Sequence, residues 1–182
     1  GGLVATAIKE CAMLNPREGW VEQDPEEIYR AFVAVVREIL DSARIKPGNI
    51  AAMSLDAATH TAVLLDDGGR PARRSIYWTD RRSVKQSDFL VERWGKTILE
   101  LCLNAPSPLW TLPQLMWIRD NEPEIHSRIA KILFVKDFVR YRLTGVMATD
   151  SIDAMGSLLL DVEGGRWSEE LCALAGLKVS AL

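Results

Sequence analysis

The stretch Ile50–Gly69, IAAMSLDAATHTAVLLDDGG, decides how this chain is read. Two apolar segments of strand length, Ile50 to Asp56 and His60 to Asp66, flank a short polar link. Asp66-Asp67-Gly68-Gly69 closes the second segment. Its Asp-Gly step favours a hairpin-type turn, because glycine takes the positive φ such turns need. Ser75 to Trp78 reads as a third strand, ending at Thr79-Asp80-Arg81-Arg82.

Upstream, Leu3 to Ile8 alternates as a short strand would. A domain seldom starts inside a sheet, so a further strand is expected before Gly1. The polar loop from Pro16 leads to Asp24-Pro25-Glu26-Glu27. Asp24 is placed to cap a helix, Pro25 suits its first turn, and Glu27 has capping-box spacing. Ile28, Phe32, Val35, Val36, Ile39, Leu40 and Ala43 share one face of that helix, which runs to about Arg44 before Pro47-Gly48.

Downstream, helices are expected over Ser83–Trp94, Lys96–Leu103, Leu112–Asn121 and Pro123–Ala130. Lys131–Val135 reads as a buried strand and Asp137–Leu143 as a helix closed by Gly145. Ala148–Asp161 is mixed, and Trp167–Ala175 is a last helix with Ser168 as cap. Strands in the first half and helices in the second point to one α/β domain with a helical layer.

The 182 residues suit one domain of ordinary size, and 48% hydrophobic with 26% charged residues can fill a core. A net charge of -3 argues against nucleic acid as the main partner. No apolar run approaches a membrane span, and the first ten residues lack a signal-peptide pattern. Cys11, Cys102 and Cys172 match no metal spacing. They read as buried thiols in a reducing cytoplasm.

Four strings carry candidate chemistry. Gly19–Pro25 is a capped helix start with Trp20 as a packing anchor, although capping alone does not explain its whole identity. Asp56–Thr61 links two strands, a natural ledge for a ligand, where Thr59 and His60 offer a hydroxyl and an imidazole to a polyhydroxylated molecule. A lone histidine near a strand is more often merely structural. In Tyr77–Arg82, Trp78 can cover the apolar face of a sugar while Asp80 binds hydroxyls, or it can be a core tryptophan beside a capping Asp80. Thr149–Ser157 reads as a polar loop before an apolar segment. GxxxxGK[ST], HExxH, GxSxG and GxGxxG are all absent.

These strings occur together and in order. GWVEQDP stands at Gly19, THT at Thr59 with Ala62–Asp66 behind it, GGRP at Gly68 and YWTDRR at Tyr77. P-x-W-T-x-P-x-L-x-W follows from Pro108, TD-x-x-x-A-x-G from Thr149, and RW-x-x-EL-x-x-x-AGL from Arg166. The ordered set resembles the FGGY family of carbohydrate kinases, which includes xylulose and glycerol kinases, along essentially the whole chain.

The resemblance implies a ribonuclease-H-like, actin-type ATPase α/β fold, a mixed sheet with flanking helices, incomplete at both ends. In such kinases two domains flank a cleft, with sugar mainly on the first and ATP on the second. A carboxylate accepts the hydroxyl proton and Mg²⁺ neutralises phosphate charge. The Met-His pair that contacts sugar in xylulose kinases corresponds to Thr59-His60, where glycerol kinases carry Arg-Glu. The family's pocket-edge tryptophan corresponds to Trp78, and the Asn-Asp after it to Thr79-Asp80. A tyrosine used by glycerol kinases falls at Leu109.

By the same resemblance, residues 1–182 are a partial N-terminal sugar-binding domain. The phosphate loop is expected before Gly1, and the catalytic aspartate and ATP domain beyond Leu182. Asp56 and Asp80 match neither position, so no catalytic residue is assigned. The parent protein is expected to phosphorylate a small sugar or polyol, a ketopentose such as xylulose, with ATP and Mg²⁺. The isolated chain is expected to be inactive. The alternative is a non-catalytic sugar-binding or regulatory module on the same fold. Neither nucleic acid nor membrane is an expected partner, and a homodimer stays open.

Overall fold

The structure, a computed structural model, describes all of residues 1–182. Its elements in chain order are β1 Glu22–Gln23, α1 Pro25–Ser42, β2 Ala62–Leu65, β3 Ser75–Ile76, α2 Val84–Cys102, α3 Thr111–Asn121 and α4 Pro123–His126. There follow β4 Lys131–Phe134, α5 Val135–Thr144, α6 Ser151–Gly156, β5 Leu160–Asp161, β6 Arg166–Trp167 and α7 Glu169–Leu174. The strand pairs are β1–β3, β2–β4 and β5–β6, all antiparallel.

The β2–β4 pair organises the interior. Successive strand side chains point to opposite faces. Ala62 and Leu64 therefore join Ile132 and Phe134 in one cluster with Leu90, Ile98, Leu112 and Leu115 from α2 and α3. Val63 and Leu65 join Leu133, Val135 and Phe138 on the other face, beneath Ile28 and Tyr29 of α1. Burial on both faces explains why β2 reads as an unbroken apolar run instead of an alternating one.

Asp24 caps α1 by accepting from the Glu26 N–H at 2.9 Å. Glu27 closes no capping box; its carboxylate accepts from the Ala12 N–H at 3.2 Å and ties the N-terminal segment to the helix. α2 runs unbroken through Gly95, where two helices were expected. A mid-helix glycine costs about 1 kcal/mol. The buried stripe Leu90, Ile98 and Cys102 crosses that point, so packing outweighs the cost. α4 stops at His126, short of Ala130: the Arg128 and Ile129 N–H groups donate to carbonyls three residues back, and the Ala130 N–H donates to the Leu65 carbonyl beside β4.

Two expected strands are not strands. Leu3–Ile8 and Ile50–Asp56 lie outside every ladder. Leu3, Val4 and Ile8 are 85%, 75% and 87% exposed. An alternating sequence makes a strand only where a neighbour takes its backbone groups. No helix is long and apolar enough to cross a membrane.

A buried ionic cluster joins the β1–β3 pair to α3. The fully buried Arg82 guanidinium meets Asp80 at 2.9 Å and Glu22 at 2.8 Å. Arg73 meets the same Glu22 at 2.7 Å and Glu122 at 3.2 Å. Arg82 also lies 3.9 Å over the Trp20 ring, which packs edge-on against Trp117 at 5.1 Å. Removing one partner of a buried pair strands the other charge. Asp80→Ala should lower the unfolding free energy by about 3 kcal/mol or more, read from urea denaturation. A loss under about 1 kcal/mol would show that the cluster does not hold this region together.

Candidate functional site

Two regions carry the candidate chemistry, and the segment Ser107–Trp110 runs between them. His60 occupies the tip of the Thr59–His60 turn that leads into β2. Its φ is +48°, a left-handed conformation unusual for a side chain larger than glycine. The backbone is gripped from both sides. Its N–H donates to Asp153 Oδ1 at 2.6 Å, and its carbonyl accepts from Thr111 Oγ1 at 2.7 Å.

The imidazole is set against the Trp110 ring, with centroids 4.7 Å apart. Gly156 also touches it; a Cβ at that position would come within 3.0 Å of His60 Cβ and Nδ1. Only 9% of the residue is exposed. The Leu109 carbonyl favours protonation of the ring, but its geometry falls short of a hydrogen bond, so neither ring nitrogen is paired within the protein. Burial pulls the pKa of His60 below its ordinary value, against opposing pulls from Asp153 and Leu109. The ring is therefore neutral near pH 7, with one nitrogen able to donate and the other to accept. Such a pair is complementary to an alcohol hydroxyl, which does both, but both nitrogens are closed off from solvent, so a hydroxyl meets them only if the surrounding wall opens.

Trp78 is 43% exposed and lines a cavity of about 310 Å³ with Thr79, Asp80, Arg81, Ser107 and Leu109. That volume is at the small end for ligand sites. His60 does not line this cavity; Leu109 is the neighbour that Trp78's cavity and the His60 ring share. The Ser83 hydroxyl donates to the Pro108 carbonyl at 3.1 Å and pins the shared segment. Thr59 is exposed on the His60 turn.

Asp80 does not sit as a free sugar ligand. Its carboxylate is wholly buried and takes the Val21 N–H, the Arg82 N–H and two Arg82 guanidinium N–H groups. Each oxygen already has two donors, so a sugar hydroxyl would have to displace one. The carboxylate shapes the Trp78–Arg82 turn instead.

Sequence reasoning missed the apparatus around Asp153. Lys136 Nζ lies 2.7 Å from Asp153, 2.8 Å from Asp150 and 2.9 Å from Asp137. Burial pulls the lysine pKa down, yet hydrogen bonds to Asp150, Asp153 and Asp137 prevail and raise it. Lys136, Asp137 and Asp150 also line a larger cavity of about 510 Å³ beside Met53–Leu55. The spacing of Asp150 and Asp153 in the Thr149–Gly156 string, one helical turn apart, was the available clue.

Burial pushes the Cys102 thiol to about 12 and the Cys172 thiol to about 11. Both are poor nucleophiles. Cys11 is only half-buried, outside the core, with burial and then Glu27 raising its pKa. No three or more His, Cys, Asp or Glu side chains are grouped to hold a metal ion. No phosphate-handling step is assigned to these residues.

Comparison with known proteins places this architecture. The model of the FGGY family of carbohydrate kinases, N-terminal domain, matches residues 1–182. A xylulose kinase of Lactococcus lactis subsp. lactis is 36% identical over 94% of this chain and 34% of its own length. A glycerol kinase of Thermococcus kodakarensis is 32% identical over 92% of this chain and 34% of its own length. The crystal structure of a xyloylose kinase from Brucella ovis superposes with a TM-score of 0.90 at 32% identity, covering 94% of this chain and 35% of that one. The chain thus spans about a third of the length of the relatives it matches, and its α/β fold is the actin-type fold of these kinases. Residues 1–182 belong to the FGGY family of carbohydrate kinases, as its N-terminal domain.

Proposed function

We propose that the protein containing these residues transfers the γ-phosphate of ATP to a hydroxyl of a small sugar or polyol, with a ketopentose such as xylulose as preferred acceptor. The observation that carries the sugar half is His60: a buried, neutral imidazole whose ring nitrogens have no partner in the protein. A buried polar group without a partner needs an explanation, and a ligand hydroxyl supplies one. Thr59, on the same turn, and Trp78, at its exposed cavity, complete the proposed sugar contacts. The 36% identity to a xylulose kinase supports the choice of acceptor. Leu109 and Thr59-His60 argue against glycerol, since no phenol or Arg-Glu pair stands at those positions.

Residues 1–182 bind and orient the acceptor in this reading. ATP and Mg²⁺ are assigned to the remaining two-thirds of such a protein, and with them most of the electrostatic catalysis. The three unpaired cysteines favour the cytoplasm.

A panel of ketoses and polyols tests the proposal on the full-length protein. ATP-dependent phosphorylation fastest with a ketopentose is the expected result. Binding without turnover would identify a non-catalytic module, and no binding of any sugar would remove the sugar reading altogether. The isolated 182 residues should give no turnover.

The neutral state of His60 has a consequence for stability. Its folded pKa lies below the unfolded value of about 6.5, so the unfolded chain binds the extra proton first as pH falls. Stability should be full above that value, decline from about pH 6.5 down to the folded pKa, and level off below it. Urea midpoints across that range should show the decline, and His60→Asn should flatten it. An equal decline in the variant would mean that His60 is not the group responsible.

A further inference from the structure

We infer that Asp153 and Thr111 are positioning residues that hold His60 by its backbone, fixing the direction in which its imidazole meets the sugar. The inference rests on the sugar reading of His60 given above. Four features converge on this one residue from two distant parts of the chain. The start of α3 supplies the Thr111 hydroxyl to the His60 carbonyl, 51 residues away, and the Trp110 ring to the imidazole. α6 supplies the Asp153 carboxylate to the His60 N–H, 93 residues away, and the bare Gly156 that leaves room for the ring.

A positive φ makes these contacts more than incidental. Left alone, a histidine relaxes toward negative φ, and that rotation would swing its side chain. The two hydrogen bonds occupy both backbone polar groups of the residue and oppose the rotation. Asp153 is itself held: its Oδ2 lies 2.7 Å from Lys136 Nζ, while Oδ1 serves His60. Lys136 is anchored in turn by Asp137 and Asp150. The orientation of the ring is thus set by a chain of charged contacts ending on the wall of the larger cavity.

The test is a double-mutant cycle in the full-length protein, with D-xylulose as probe. Its Kd is read by calorimetry, and its KM and kcat by coupled assay. Thr111→Val keeps shape but removes the hydroxyl; Thr111→Ser restores it. Thr111→Val should raise the sugar Kd and KM about tenfold, with kcat changed less than about threefold and the KM for ATP unchanged. Thr111→Ser should recover most of the loss. In a His60→Ala background Thr111→Val should add less than about twofold, because it acts only through the ring already removed. Asp153→Ala, which removes the acceptor that an asparagine amide oxygen would keep, should behave as Thr111→Val does, and Thr111→Val decides the matter if Asp153→Ala does not fold.

If His60→Ala weakens sugar binding but Thr111→Val does not, or weakens it equally in both backgrounds, the positioning role is overturned and the sugar reading stands. If His60→Ala leaves sugar binding unchanged, the sugar reading of His60 fails and the inference fails with it.

Discussion

One guanidinium joins pieces of this chain that look separate in sequence. Arg82 is buried without solvent contact, and it is paired with Asp80 two residues before it and with Glu22 sixty residues before it. It also lies over Trp20 and within 5.1 Å of the Trp117 ring on α3. A buried cation is tolerated only where anions and hydrogen bonds replace its water. That requirement fixes where GWVEQDP, YWTDRR and the α3 helix stand relative to one another. Trp78 reaches its cavity because the turn that bears it is locked at Asp80 and Arg82.

The same constraint explains what the sequence could and could not show at the site. Thr59, His60 and Trp78 are marked by type and by their place at strand ends. Asp80 reads in sequence as either a hydroxyl ligand or a helix cap. Its bidentate closure on Arg82 appears only in three dimensions. The grip on His60 was hard to read for another reason. Thr111 and Asp153 reach it across 51 and 93 residues of chain, and no local pattern encodes contacts of that reach.

For the fold, local chemistry was readable wherever it was decided locally. Asp24 and Ser168 cap helices through their own side chains, and Gly145 closes α5 at φ +75°. β2 was readable because its apolar run is long enough to be buried on both sides. Leu3–Ile8 and Ile50–Asp56 carry equally good strand sequences, yet pairing depends on a neighbour that the sequence of the segment does not contain. Gly95 failed as a helix breaker because Leu90, Ile98 and Cys102 bury a stripe that spans it.

The proposal stands on a buried imidazole whose ring nitrogens have no partner in the protein and which a sugar hydroxyl would complete. A crystal structure of the full-length protein with bound ketopentose measures this directly. The account predicts a His60 ring nitrogen within about 3.2 Å of a sugar hydroxyl, with Trp78 against the same molecule. A sugar bound elsewhere, with both ring nitrogens of His60 still unpaired or turned to the protein, would contradict it.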